Sequence, residues 1–222
     1  MDSALCALEL LGVFLSLSAW LFSLATTLMS QWLTLSTDLL PAESYELGLW
    51  GTCVVQELGV LECKSYDSLL GLPADIRLAR ILMCVALGTG LMAVMFTIPG
   101  IYVVKSCRSI DTLKSKRNLK MLGGTLCFVA GILGLMPVSH IAHLTVQRFF
   151  DKAVPYVVPR WEFGDALFWG WTAAFMHLVA GILLVSSCFC FQVDPFPMPV
   201  AIPLQGGQSS PALSPTRRTE YV

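Results

Sequence analysis

Two cysteines, Cys53 and Cys63, stand ten residues apart in a segment that lies between two long apolar runs. Such a segment is exposed on one side of a membrane, and cysteines on the oxidising side form disulfides. The other six cysteines lie within the apolar runs or near their ends. We therefore expect Cys53 and Cys63 to form a bridge, which should stabilise its short loop by roughly 2 to 3 kcal/mol.

The three histidines are the other residues that could do chemistry. His140 and His143 stand three residues apart and share a face of a predicted helix, a spacing compatible with metal binding or pH sensing. No third ligand accompanies them, and we interpret them as polar residues near the membrane surface. His177 lies in an apolar run, where we expect it to hydrogen-bond to a neighbouring helix. Since no catalytic, metal or phosphate motif is present, we predict neither an enzyme nor a cofactor.

The composition is that of a membrane protein. The 222 residues are 55% apolar and 13% charged, with a mean hydropathy of +0.71, whereas soluble proteins carry about a quarter charged residues. Roughly 20 apolar residues span a bilayer core, and four charge-free runs reach that length. They cover residues 10–37, 81–104, 121–147 and 166–193. We predict an all-α transmembrane four-helix bundle.

Charge sets the predicted orientation. Residues 105–120 contain six Lys or Arg and one Asp, which marks this loop as cytoplasmic by the positive-inside rule. Both termini are then cytoplasmic in a multi-pass protein of the plasma membrane. The predicted segments are a cytoplasmic N-terminus at 1–9, transmembrane helices at 10–29, 78–104, 121–144 and 164–191, outer loops at 30–77 and 145–163, the basic loop at 105–120, and a cytoplasmic tail at 192–222.

The first outer loop alternates in a way that is typical of strands. The candidate strands are residues 32–35, 47–50, 52–55 and 61–64. A turn at 56–59 would bring Cys53 opposite Cys63 in a small antiparallel sheet. Trp32 and Trp50 would anchor this sheet, because tryptophan suits the boundary between apolar and wet regions.

The cytoplasmic side carries two further candidate sites. Cys107, Cys188 and Cys190 lie at the inner ends of predicted helices, where cysteines are either reversibly palmitoylated or simply buried. The tail is rich in proline, glycine and serine, so we expect disorder. It ends in Thr219, Glu220, Tyr221 and Val222, and a terminal valine with its carboxylate can add as a strand to a PDZ domain.

The spaced residues Trp32, Gly48, Leu49, Trp50, Cys53, Cys63 and Arg80 resemble the claudin signature. The resemblance covers essentially the whole chain, including its loop lengths and its terminal Tyr-Val. It implies that both outer loops form one five-stranded sheet, and that the protein polymerises into tight-junction strands that control paracellular permeability and cell adhesion. Its implied partners are claudin chains in the same membrane and on the adjacent cell, PDZ scaffold proteins and membrane lipid, but no nucleic acid.

In claudins the residues just after the two cysteines tend to set ion selectivity. The matching positions are Lys64 and the neutral Gln56. A charge on a narrow wall favours counter-ions and opposes like ions. Lys64 therefore favours a barrier or an anion pathway, although the loop as a whole has an acidic surplus. An auxiliary channel subunit or another adhesive four-span relative is the alternative function.

The resemblance also implies a lateral contact between neighbouring chains. An apolar side chain after the sheet, here Leu69, would pack against an aromatic pair and a residue near the fourth helix of the next chain. Those positions are Phe149, Phe150 and Phe163. A head-to-tail contact of this kind does not close and so generates filaments. Alternatively, these phenylalanines dip into the membrane interface.

Overall fold

The computed structural model describes residues 3–36, 44–55, 60–68, 71–100, 110–152 and 159–190. Within them lie four helices that are long and apolar enough to cross a membrane. They are α1 (Ser3–Leu28), α2 (Ala74–Gly100), α3 (Ile110–Phe149) and α4 (Asp165–Cys190). The predicted four-helix class is confirmed.

Small residues bring the helices close together. Gly181 of α4 lies against α3 so tightly that a Cβ added to it would stand 2.8 Å from the backbone nitrogen of Phe128. Ala19, Ala93 and Ala180 are fully buried on three different helices. Small side chains let backbones approach, and in lipid this close packing replaces the hydrophobic effect as the source of association.

Helix α3 is much longer than the span of residues 121–144 expected from hydropathy. Its 40 residues extend about 60 Å at 1.5 Å per residue, roughly twice the thickness of a bilayer core. It therefore projects beyond the membrane at one end or both. Lys116, Arg117 and Lys120, which the sequence placed in a cytoplasmic loop, are helical.

A five-stranded antiparallel sheet caps the bundle at the end where α2 begins and α3 ends. Its strand order is β4-β3-β2-β1-β5. The strands are β1 (Leu33–Ser36), β2 (Ser44–Leu47), β3 (Gly51–Val55), β4 (Leu61–Ser65) and β5 (Glu162–Phe163). The last strand comes from the second loop and pairs Phe163 with Leu33. The single sheet built from both loops is confirmed.

One predicted strand was wrong. Residues 47–50 were expected to be extended, but the strand ends at Leu47 and a turn follows, closed by a hydrogen bond from Gly48 N to Gly51 O of 2.9 Å. Both glycines lie where a side chain would collide with backbone: a Cβ on Gly48 would meet Ser30 Cα at 2.8 Å, and one on Gly51 would meet Lys64 O at 2.6 Å. The apolar residues between them serve packing rather than strand pairing.

Candidate functional site

The disulfide between Cys53 and Cys63 is present and joins β3 to β4. The two residues are direct cross-strand partners, with their Cα atoms 4.0 Å apart. Cys53 is almost fully buried, whereas all five residues of β4 are exposed. The bridge thus fastens an exposed edge strand to the rest of the sheet.

Two tryptophans attach the sheet to the end of α1. The indole of Trp32 donates to the carbonyl of Thr26 at 2.9 Å, and that of Trp50 donates to the carbonyl of Thr27 at 2.8 Å. The last carbonyls of a helix have no partner within the helix and must find one elsewhere. Trp32 and Trp50 therefore satisfy the C-terminal end of α1 while they hold the sheet over it.

Arg80 links the turn at 48–51 to α2. It is 7% exposed, its Nε donates to the carbonyl of Leu49, and its guanidinium carbon lies 5.1 Å from the ring centres of both Trp50 and Tyr66. The Tyr66 hydroxyl donates to Gly48 O at 3.3 Å. Burial raises the pKa of Tyr66, and the positive charge of Arg80 opposes that shift. The cation is thus held between two aromatic rings.

The strand register divides the charged residues of the sheet between two faces. Lys64 pairs with Thr52, and Thr52 pairs with Leu47, so these side chains share a face. Because side chains alternate along a strand, Glu62 lies on the Lys64 face as well. Glu46 and Glu162 pair with Thr34 and therefore lie on the opposite face.

Two acids of the first loop have partners that the sequence did not reveal. Glu46 is buried and accepts hydrogen bonds from Ser30 Oγ at 2.9 Å and Gln31 Nε2 at 2.7 Å. Asp75 lies 3.4 Å from a terminal nitrogen of Arg148 and 3.5 Å from Nε2 of His140. These contacts cross between elements that are far apart in sequence, so no local pattern signals them.

The aromatic residues predicted for lateral assembly lie around one groove. The rings of Phe149 and Phe150 meet edge to face at 5.3 Å, and Phe150 is 72% exposed. The groove has a volume of about 390 Å³. It is lined by Thr145, Val146, Phe149, Phe150, Trp161, Glu162 and Phe163. Leu69, Gln56, Cys107 and the terminal residues 219–222 lie outside the described residues, as does the side chain of Cys190.

The bundle contains buried polar contacts between its helices. Lys120 is 2% exposed and its Nζ lies 2.5 Å from Oε1 of Glu9. His177 Nδ1 lies 3.3 Å from the thiol of Cys127, which also contacts Ser16 Oγ at 3.5 Å. The expected hydrogen bond from His177 to a neighbouring helix is therefore found.

Cys188, one of the three candidate palmitoylation sites, is buried. It is 4% exposed, and its thiol donates to the carbonyl of Leu184 at 3.4 Å. A transferase would reach this sulfur only if the last turn of α4 moved away from its neighbours.

Known proteins resemble this chain over most of its length. A sequence model of the PMP-22/EMP/MP20/Claudin family matches residues 6–184. Mouse claudin-19 is 38% identical over 184 residues, which are 82% of this chain and 81% of the relative. Rat claudin-7 and mouse claudin-1 are 35% and 34% identical, each over 82% of this chain and 86% of the relative. The chain therefore belongs to the PMP-22/EMP/MP20/Claudin family, within its claudin group of multi-pass tight-junction membrane proteins.

Proposed function

We propose that this protein polymerises into strands between cells and controls paracellular ion flow, as a barrier or as a pathway that favours anions. The observation that carries the proposal is Lys64, an exposed cation on the edge strand β4, directly after a disulfide-bonded cysteine. The disulfide fixes the strand, so the charge has a defined place on the sheet. A fixed charge on a narrow passage attracts counter-ions and opposes like ions.

The positions of the acids support a cationic wall. Within the described strands, Glu62 is the acid that shares the Lys64 face, whereas Glu46 and Glu162 lie on the other one. Glu46 is also buried and hydrogen-bonded, and Asp75 contacts Arg148. Two acids of the first loop, Glu46 and Asp75, are therefore already in contact with donors.

The proposed test measures dilution potential and conductance in a low-resistance epithelial monolayer that expresses the chain. We expect the wild type to shift permeability toward chloride or to lower sodium permeability. Lys64→Asp should reverse that shift, Lys64→Arg should preserve it because the charge is kept, and Cys53→Ser should abolish it.

A different outcome would favour the other candidate function. If the protein reaches cell contacts and none of these variants differs from mock-transfected cells in ion flow, charge selection at Lys64 is wrong. An auxiliary subunit of a membrane channel, or an adhesive four-span relative, would then explain the fold better.

We propose that lateral assembly uses the aromatic groove of one chain and Leu69 of the next. Phe150 supports this role, since its 72% exposed ring offers an apolar surface beside the groove to a partner. Freeze-fracture of cells that lack endogenous strands tests the contact. We expect Leu69→Ala and Phe150→Ala to break continuous strands. Met136→Ala, a matched change on the exposed surface of α3, should leave them intact, whereas unbroken strands in all three variants would favour membrane dipping.

We further propose that both termini are cytoplasmic and that Cys107 and Cys190 are palmitoylated.

We also propose that the last four residues bind PDZ scaffold proteins; these are Thr219, Glu220, Tyr221 and Val222. A C-terminal valine supports this contact, because its side chain fits an apolar pocket of the PDZ domain while its carboxylate accepts backbone hydrogen bonds. Deletion of Val222 should abolish capture by a scaffold PDZ domain. Binding that survives the deletion would contradict this assignment.

A further inference from the structure

Arg160 joins the two sides of the aromatic groove. One side is the end of α3 with Phe149 and Phe150, and the other side is Trp161 with β5. Arg160 stands directly before Trp161 in the sequence, yet its guanidinium contacts Phe149 on the opposite side, eleven residues away. The proposed lateral contact uses the groove as a whole, so its two sides must keep a fixed relation to each other.

The first contact of Arg160 is with the backbone at the end of α3. The last carbonyls of a helix have no partner within the helix. The carbonyl of Val146 accepts from the amide of Phe150 at 3.1 Å, and the carbonyl of Phe149 accepts from Nη1 of Arg160. The helix dipole also favours a cation at a helix C-terminus. Arg160 therefore fastens the last residue of α3 to the segment that leads into β5.

The second contact of Arg160 is with an aromatic ring. Its guanidinium carbon lies 5.5 Å from the ring centre of Phe149, a distance at which a cation and a ring attract each other. The ring of Phe149 in turn meets that of Phe150 edge to face at 5.3 Å. A change at Arg160 should therefore displace the exposed ring of Phe150 through the ring of Phe149.

The other side of the groove is attached to different elements. Strand β5 pairs with β1, and the ring of Phe163 meets that of Trp171 in α4 edge to face at 6.3 Å. When the contact with Arg160 is lost, the end of α3 can thus shift relative to Phe163 while the sheet and the bundle stay folded.

From these contacts we infer that Arg160 is a positioning residue for lateral assembly. It holds Phe149 and Phe150 in the orientation in which they receive the apolar side chain of the next chain. This role, which rests on the lateral contact proposed above, is exerted through Phe149 and not through contact with the neighbouring chain.

The first measurement reports on the groove in the purified full-length chain. 4-Fluorophenylalanine replaces Phe150, and its fluorine resonance is recorded in detergent, where the ring of Phe149 contributes to its chemical shift. Arg160→Met keeps a long side chain but removes the cation and its donors, so we expect the resonance to move. Arg148→Met is the matched control, because Arg148 contacts Asp75 and the described lining of the groove does not include it. Its resonance should stay at the wild-type position.

The second measurement is freeze-fracture of cells that lack endogenous strands. Arg160→Met should give broken strands, as Phe150→Ala does, whereas Arg148→Met should give continuous ones. Arg160→Lys should restore continuous strands and the wild-type resonance, because lysine keeps a cation and a donor although it lacks the planar fork of arginine. If Arg160→Met does not fold, Arg160→Gln takes its place, since this shorter and neutral side chain also removes the cation.

Three results would overturn the inference. One is a wild-type resonance in Arg160→Met, which would show that the aromatic pair keeps its place without the guanidinium. Another is continuous strands in Arg160→Met when Phe150→Ala breaks them. The third is an Arg160→Lys variant that behaves like Arg160→Met in both measurements, because the cation would then not be responsible.

Failure of the lateral contact itself has a different signature. Continuous strands in Phe150→Ala would overturn that contact and with it this role of Arg160. The fluorine resonance would still show whether Arg160 orders the two rings, because it is measured without strands. The two failures are therefore distinguishable.

Discussion

The sheet and the helix bundle are specified over different distances along the chain. In the sheet, the bridge joins residues ten apart, and β1 to β4 pair with their neighbours in sequence. In the bundle, Lys120 contacts Glu9 and Cys127 contacts Ser16, both across 111 residues. The sheet is thus built mainly from local pairs, with β5 as its long-range strand, whereas the bundle depends on contacts between distant segments.

The two regions also differ in how easily their residues can be substituted. All of β4 is exposed, so a charge such as Lys64 can change there without disturbing a packed neighbour. The buried polar groups of the bundle have no such freedom, because removal of one partner leaves the other unsatisfied in an apolar interior. The charge selection proposed for Lys64 therefore uses a residue that costs little to vary, whereas the fold depends on residues that cost much.

The largest predicted effect is loss of the Glu9–Lys120 ion pair. Glu9→Gln and Lys120→Met each break this buried ion pair, and each should lower the free energy of unfolding by about 3 to 5 kcal/mol. The double variant Glu9→Gln/Lys120→Met should recover a large part of that loss. Thermal unfolding in detergent measures all three. If the double variant is as unstable as the sum of the singles, the two side chains are not coupled.

The second prediction concerns the bridge in the sheet. Cys53→Ser/Cys63→Ser should cost roughly 2 to 3 kcal/mol, because the unfolded loop regains conformational freedom. The loss should be local: hydrogen exchange at residues 44–65 should accelerate while that of α3 and α4 stays at the wild-type rate. Faster exchange throughout the helices would show that the sheet and the bundle unfold as one unit, which would break the comparison.

Much of the fold follows from the sequence because the responsible patterns are local. Hydropathy alone locates four spans, and compartment chemistry alone selects Cys53 and Cys63 among eight cysteines. The strand wrongly predicted at residues 47–50 shows that an alternating residue pattern does not by itself identify a strand. Leu49 and Trp50 fit a strand pattern, yet one is packed into the core beneath the sheet and the other donates to Thr27.

The sequence could not predict which residues from distant segments contact each other. The sequence predicts Lys120 to be one of six bases in a cytoplasmic loop, and no residue near it in sequence reveals that Glu9 contacts it from α1. The same holds for Asp75, whose contact with Arg148 joins residues 73 apart in sequence. Family resemblance supplied the aromatic positions, but the groove that joins Phe149, Phe150 and Phe163 needs the three-dimensional arrangement.

The third prediction tests close packing in the bundle. Gly181→Ala places a methyl group 2.8 Å from the backbone of Phe128, and since that neighbour is backbone it cannot move aside cheaply. We expect a loss of about 1 to 3 kcal/mol. Gly88→Ala is the matched control, because a Cβ there meets nothing within 4 Å. Thermal unfolding in detergent should separate the two variants, and equal midpoints would contradict tight α3–α4 packing.

The smallest predicted effect concerns the hydrogen bond between Tyr66 and the turn at 48–51. Tyr66→Phe removes the hydrogen bond to Gly48 O and should cost about 0.5 to 1.5 kcal/mol near neutral pH. Burial raises the pKa of Tyr66 above its ordinary value of 10.0, so the folded protein keeps a proton that the unfolded chain releases. The stability that Tyr66 contributes is therefore complete below pH 10 and decreases as pH rises above it. In thermal unfolding the wild type should approach Tyr66→Phe as pH increases from 8 to 11. A constant or widening gap would show that the phenol is not desolvated beside Arg80, and that this corner of the sheet is as open to water as β4.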